Sequence, residues 1–323
     1  MKALVATRFG THPEMAIEDR PMPTLKPGHS LVNIHAATVN PLSHQVRSGI
    51  VAAARAPRVL SNDGAGTVEA STTFARGTRV AVYGGAQLGI SEDGLQQQWV
   101  VVEDKRLIEL PQQLDLDEGA ALPINYVTAY QALTRVGQVV AGQRVLVSGA
   151  SGALGHALIQ TALALGAVPI GVVSSSRKVE FARRSGAVEV IDLATQPLKE
   201  RVLAITDGKG ADLAFDPVGG ELLGHLVGAL RTRGALVSIG FVGGTSARID
   251  VTDVVIEEKR ILGYDAWLET DADVAAAFAA IRGFIGKGLL RPVIDSSYSI
   301  EEHASAYARL ASREATGSIL LRP

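Results

Sequence analysis

The run Val145-Leu-Val-Ser148-Gly149-Ala150-Ser151-Gly152-Ala153-Leu154-Gly155 constrains this chain more than any other segment. A short aliphatic strand runs straight into a glycine-rich turn. A helical pattern follows, because Leu154, Leu158, Thr161 and Leu165 fall on one face at helical spacing. A dinucleotide pyrophosphate needs small residues at three points: the tight turn, the close backbone approach, and the packing of helix on strand. Ala150, Gly152 and Gly155 stand there. The N–H groups opening the helix at Gly152, Ala153 and Leu154 are expected to face the pyrophosphate, aided by the helix dipole. A glycine-rich turn that binds nothing would share the pattern, though not its surroundings.

Those surroundings repeat. Strand-like runs at 145–148, 168–173, 188–191, 211–215 and 235–239 alternate with helix-like stretches at 153–165, 175–185, 196–206 and 220–231. Such alternation means βαβ units and a parallel sheet covered on both faces. Residues 261–264 add a sixth strand. Residues 1–115 read differently, as short β-branched runs (30–39, 64–69, 79–82, 99–102) bounded by Gly, Pro and Asn. Pro21, Pro23 and Pro27 mark an early loop. In the tail, 271–287 is an alanine-rich helix. Ser299 with Glu302 makes a capping box for a helix over 300–311. A last strand, 317–321, is expected to rejoin the first domain. The expected division is therefore a discontinuous domain, 1–117 with 265–323, around a nucleotide-binding domain at 118–264.

Composition narrows the chemistry. A net charge of −2 offers no counter-charge for nucleic acid or an anionic membrane. The absence of cysteine removes disulfides, iron–sulfur clusters, thiolate zinc sites and a cysteine nucleophile together. Seven histidines remain, none in an H-x-x-x-H or H-E-x-x-H pair, so core or surface roles are their default. The first apolar run is too short for a signal peptide, and no stretch reaches the roughly 18 apolar residues of a membrane span. A cytoplasmic location is expected.

Cofactor choice is read at the end of the second strand, where an acidic residue would hold the ribose 2′-OH of NAD. Here the chain reads Val173-Ser174-Ser175-Ser176-Arg177-Lys178, with no carboxylate. Hydroxyls and a guanidinium suit a 2′-phosphate, so Ser174, Ser175 and Arg177 point to NADPH. The same serines would also cap the next helix, with Arg177 and Lys178 solvated. Ser151, Gly152, Ala153 and Leu154 are the pyrophosphate candidates. Val218, at the end of the fourth strand, and Gly240, Phe241 and Val242, at the end of the fifth, are candidates for the nicotinamide half. The glycines there would equally suit loop geometry.

Four motifs carry a family resemblance. They are Ala36-Ala-Thr-Val-Asn40-Pro41-Leu-Ser-His-Gln-Val-Arg47-Ser-Gly49, Asn62-Asp63-Gly64-Ala65-Gly66-Thr67-Val68, Leu122-Pro-Ile-Asn-Tyr126-Val-Thr128-Ala-Tyr130, and the glycine turn itself. Over essentially its whole length the chain resembles the zinc-free quinone oxidoreductases of the medium-chain dehydrogenase/reductase superfamily. The resemblance implies a GroES-like β-domain from the two chain ends, a Rossmann domain between, and an active cleft at their junction. It also implies metal-free, NADPH-dependent reduction of quinones or other α,β-unsaturated carbonyls, commonly by a homodimer. The edge at 261–264 would suit pairing across its two-fold axis. By position Asn40, Tyr126 and Thr128 resemble the family's cofactor contacts. Zinc-dependent relatives carry Gly-His-Glu where this chain has Ser61-Asn62-Asp63. Departures lie at Ser43 (usually Asp), Gln45 (often Tyr), Leu193 (a Tyr in some members) and Gly94–Trp99.

Acceptor-side candidates are Asn40, Gln45, Tyr83 and Trp267, with His44 beside them. Each has an ordinary alternative: a turn residue for Asn40, packing for Tyr83 and Trp267, a loop surface for His44. No general acid is evident, so positioning with protonation by solvent is the expected mechanism. Two other readings stay open on sequence: an enoyl-thioester reductase with a positioned Tyr, and an NADPH-binding protein that is not an enzyme. A zinc alcohol dehydrogenase is a third, disfavoured by the missing ligands.

Overall fold

Strand follows strand at the start of the computed structural model, which describes residues 1–323: β1 (Lys2–Arg8), β2 (Glu14–Asp19), β3 (His29–Val39), β4 (Arg58–Val59), β5 (Asp63–Ala70), β6 (Arg79–Tyr83), β7 (Trp99–Glu103) and β8 (Leu107–Glu109). Alternation sets their faces. In β7, Val100 and Val102 are buried while Trp99, Val101 and Glu103 are half-exposed. A short helix, α1 (Pro41–Arg47), interrupts after β3. Helices α2 (Leu116–Ala121) and α3 (Pro123–Gln131) follow β8.

The chain then alternates: β9 (Arg144–Ser148), α4 (Ala153–Ala164), β10 (Val168–Val173), α5 (Val179–Arg184), β11 (Glu189–Asp192), α6 (Leu198–Ile205), β12 (Ala211–Asp216), α7 (Glu221–Gly228), β13 (Leu230–Ser238), α8 (Val251–Val255) and β14 (Arg260–Gly263). The six strands form one parallel sheet in the order β11-β10-β9-β12-β13-β14, the Rossmann order. Leu146, Ile170, Val172, Ile191 and Leu236 of the strands pack with Leu226 and Val227 of α7. Periodicity over 220–231 overruns the real helix. The α7 helix stops at Gly228, because Leu230 already pairs with Ala211 as the first residue of β13. The stretch 175–185 likewise divides into a 3₁₀ turn (Ser176–Lys178) and α5, since Ser175 is extended.

The tail supplies α9 (Asp271–Gly286), β15 (Ile294–Ser299), α10 (His303–Ala311) and β16 (Ser318–Arg322). Strand β16 pairs antiparallel with β3, Ile319 opposite Val39, and parallel with β15. The first unit therefore holds a sheet in the order β15-β16-β3-β5-β6-β8, with β7 also on β3, and a small sheet β2-β1-β4. The two units are Met1–Asn125 with Pro292–Pro323, and Tyr126–Arg291. These limits differ from 117/118 and 264/265. Helix α2 stays with the first unit because Gly119 lies against Leu110 and Ala65. Helix α9 stays with the second because Gln131 donates to the Asp273 carbonyl at 2.6 Å and Gln160 exchanges two bonds with the Arg291 backbone. No helix is long and apolar enough to cross a membrane.

Leu146 is fully buried at the centre of the parallel sheet. Leu146→Ala should cost about 2–5 kcal/mol from lost transfer free energy and the cavity left behind. Chemical denaturation measures it, and a loss below about 1 kcal/mol would contradict this placement of the core.

Candidate functional site

In the second unit the carboxyl ends of β9, β10, β12 and β13 carry the candidate cofactor residues. Gly149, with φ +59, turns the chain out of β9. Gly152 is the N-cap of α4, and its N–H donates to the Gly149 carbonyl at 2.9 Å. That corrects one expectation: the Gly152 amide belongs to the turn. The first helical bond runs from His156 N–H to the Gly152 carbonyl, also at 2.9 Å. The N–H groups of Ala153, Leu154 and Gly155 precede it and have no acceptor within the chain. These three amides, at the positive end of a twelve-residue helix, suit a pyrophosphate. Gly155 is required for close packing, because a Cβ there would lie 2.2 Å from the Gly149 carbonyl oxygen. Ser151 is buried beside them.

His156 sits one turn into α4, buried, with Nδ1 bonded to the Ser185 hydroxyl and Nε2 without a partner. Burial pushes its pKa down to about 4, so the ring is neutral near pH 7. It is a core histidine, packed between α4 and the end of α5.

At the end of β10, Ser174 and Arg177 are exposed, and Ser175 presents a buried hydroxyl with no partner in the chain. An orphaned buried hydroxyl is unusual and fits a ligand oxygen at this strand end. Sequence reasoning missed Asp192. It closes β11, and its carboxylate accepts from the Ser176 hydroxyl at 2.5 Å and from Ala194 N–H at 3.0 Å. The Ser176 hydroxyl is the first cause holding this carboxyl below its ordinary range. No linear motif pairs residues 176 and 192; only the adjacency of β10 and β11 does.

Asp216, fully buried at the end of β12, accepts from the Ser148 hydroxyl at 2.5 Å, from Val218 N–H at 3.0 Å and from Gly219 N–H at 3.1 Å. It joins the ends of β9 and β12, where the strand order reverses. The turns after β12 and β13 interlock through their backbones. Gly220 N–H donates to the Gly244 carbonyl and Gly243 N–H to the Val218 carbonyl, at 3.1 and 2.7 Å. A Cβ on Gly240 would lie 2.5 Å from the Pro217 carbonyl oxygen. Gly240 is thus explained by turn packing, whereas Phe241 and Val242 leave apolar side chains exposed at the same strand end.

Two further candidates lie on α3. Tyr126 is buried and donates to Gln160 at 2.7 Å. Thr128 is buried and hydrogen-bonded to Tyr264, whose hydroxyl donates to Glu269 at 2.5 Å. Trp267, in a 3₁₀ turn after β14, is half in solvent.

In the first unit, Asn40 caps α1. Its carbonyl oxygen accepts from Ser43 N–H at 2.8 Å and the Ser43 hydroxyl at 2.7 Å. Its amide nitrogen lies 3.0 Å from both Asn62 and Asp63 and 3.1 Å from Thr38. Both ends of this amide are engaged inside the unit, so Asn40 is a helix cap here. The carboxyl of Asp63 is fully buried and also accepts from the Thr38 hydroxyl and from Ile124 N–H. Burial pushes its pKa up to about 7 against those bonds. Tyr83 is buried, opposite Asp63 in the β5–β6 ladder. Gln45 is half-buried and its side-chain amide makes no bond in the chain, which leaves it open to an acceptor. His44 is half-buried, and burial, then Arg47, lowers its pKa. No three His, Asp or Glu side chains converge as metal ligands.

A six-stranded parallel sheet with open amides behind a glycine turn defines a Rossmann-type nucleotide-binding unit. Residues 26–112 match the model of the alcohol dehydrogenase GroES-like domain, and 153–281 that of the zinc-binding dehydrogenase family. A quinone oxidoreductase of Pseudomonas aeruginosa is 30% identical over 95% of both chains. Among solved structures, an NAD-dependent alcohol dehydrogenase superposes with TM-score 0.90 at 27% identity, over the full length of both chains. A quinone oxidoreductase of Pseudomonas syringae superposes with TM-score 0.87 at 27% identity, over 100% of this chain and 99% of that one. The chain belongs to the quinone oxidoreductase family of the medium-chain dehydrogenase/reductase superfamily, and is an oxidoreductase rather than a binding module alone.

The raised pKa of Asp63 has a signed consequence. Between the unfolded value of about 4 and the folded value of about 7 the folded state holds the extra proton, so this group costs increasing stability as pH rises through that window. Asp63→Asn removes that ionisation. Its stability relative to the parent should rise by an amount on the order of 3–4 kcal/mol between pH 4 and pH 7.5. Denaturation at the two pH values tests this; an equal difference at both would show that Asp63 does not titrate there.

Proposed function

We propose that the protein transfers hydride from NADPH, without a metal, to a quinone or another α,β-unsaturated carbonyl acceptor. The observation that carries this is the open helix start, Ala153 to Gly155, with the orphaned Ser175 hydroxyl and the exposed Arg177 at the next strand end. The three amides would hold the pyrophosphate, and Ser174, Ser175 and Arg177 the 2′-phosphate. Phe241 and Val242 would flank the nicotinamide half and limit water there. The bound dinucleotide supplies the hydride; the chain orients it and leaves the reduced acceptor to take its proton from solvent. Thr128, fixed by Tyr264, is a contact for the nicotinamide end. Gln45 is the acceptor-side residue with an open amide, and Tyr83 a wall. Metal-free chemistry is supported by Ser61-Asn62-Asp63, whose side chains are tied into the Asn40 and Thr38 network or to the local backbone.

Asp192 favours a second reading, NADH. It places a carboxylate one hydroxyl away from the β10 serines, where a ribose 2′-OH would be read. The first reading stands because that carboxylate is already engaged by Ser176, Ala194 and Thr195. Initial rates with each cofactor over quinones, enones and a crotonyl thioester decide both cofactor and acceptor. Arg177→Glu should raise the NADPH Michaelis constant by about tenfold or more. An unchanged NADPH/NADH ratio would remove Arg177 from the 2′-phosphate site, and turnover of the thioester alone would replace the quinone assignment.

We also propose a cytoplasmic homodimer. Strand β14 is the last of its sheet, and Val251, Val255, Ile256, Ile261 and Leu268 leave apolar surface exposed beside that edge. Ile256→Asp with Leu268→Asp should lower the mass seen by light scattering from two chains to one. A parent protein that is already one chain would end this proposal.

A further inference from the structure

The amino-terminal edge of the parallel sheet, opposite the glycine turn, holds a cleft of about 280 Å³. Its charge comes from an irregularity in β13. Ala211 pairs with Leu230, but the next pair is Leu213 with Ala235, so Asp212 alone faces Arg231, Thr232, Arg233 and Gly234. A bulge of this kind re-aims side chains, and such bulges gather near binding sites. Here it brings Arg231 and Arg233 into the cleft lining, where Arg260, the first residue of β14, joins them. Gln138 and Arg233, both in the lining, hold left-handed backbone, φ +48 and +62, although neither is glycine. Two such residues lining one small cleft is a cost that binding sites commonly carry.

The lining is rich in donors and poor in acceptors. Arg231 donates Nε to Asp212 at 2.6 Å and Nη1 to the Thr232 carbonyl at 2.8 Å. Arg233 donates Nε to Glu258 at 2.7 Å. Arg260 pairs with Ala235 through its backbone, and its exposed guanidinium has no hydrogen-bond or ion-pair partner in the chain. Asp212, the carboxylate of the lining, has both oxygens engaged, one by Arg231 and the other by Arg144 N–H at 2.8 Å. Most guanidinium N–H groups at the cleft are therefore open, in the forked geometry that takes phosphate oxygens two at a time.

We propose that this cleft is a second anion site, for a compact phosphate-bearing molecule held by Arg231, Arg233 and Arg260. Its volume of about 280 Å³ suits a small phosphate compound. The site is distinct from the dinucleotide-binding end, which lies at the carboxyl ends of the same strands.

Calorimetric titration of the NADPH-saturated protein with inorganic pyrophosphate tests this, with citrate and glucose as parallel titrants. The expected result is saturable binding of pyrophosphate at one site per chain. The variant carrying R233Q and R260Q should bind about tenfold or more weakly, with its NADPH Michaelis constant within about twofold of the parent. R260Q alone, at a side chain that holds nothing else, should weaken binding by about threefold or more. Absence of saturable pyrophosphate binding, or equal affinity in the double variant, would overturn the site. Binding of citrate but not pyrophosphate would overturn the phosphate assignment.

Discussion

A single buried carboxylate ties the nucleotide-binding sheet together where its strand order reverses. Asp216 reaches the Ser148 hydroxyl on the neighbouring strand and the amides of Val218 and Gly219 in its own turn. A buried carboxyl group needs such donors to replace the water it has lost. With them in place, the end of β9 is fixed and the glycine turn leaves it in one direction. The turn after β12 is fixed as well, and it holds the turn after β13 through the Gly220–Gly244 and Gly243–Val218 bonds. The strand ends around the glycine turn thus take their geometry from one buried acid.

The first unit shows the same economy around a different acid. Asp63, Thr38, Asn62 and Asn40 share one hydrogen-bond network that caps α1 and closes the end of β3. Its side chains bond to one another inside the unit. Removing one member would leave a buried polar group without a partner, so the network acts as a unit.

Much of the fold was legible because strand and helix periods are local. The strands of the parallel sheet, the helix behind Gly152 and the capping box at Ser299 all follow from neighbouring residues. What was not legible depends on strand adjacency. Asp192 beside Ser176 and Asp216 beside Ser148 join residues 16 and 68 positions apart. The bulge at Arg231–Gly234 reads as a helix end in sequence, because only its pairing with Asp212 exposes the extra residues. The domain limits moved for a related reason: long-range contacts of α2 and α9 decide which unit they belong to. For Asn40 the residue type was informative but its role was not, since Asn serves equally as a cap and as a donor to ligands.

The return of β16 to the first unit has a consequence for synthesis on the ribosome. Strand β3 is made before the whole parallel sheet, but the partner of Val39 is Ile319, which is made after it. Until that residue emerges, the end of β3 at Ala37–Val39 leaves N–H and C=O groups bare, the kind of edge that recruits foreign strands. The parallel sheet has no such wait, because all its strands lie between residues 144 and 263. The second unit can therefore fold while the first is still missing a strand, so strands made before it are completed after it.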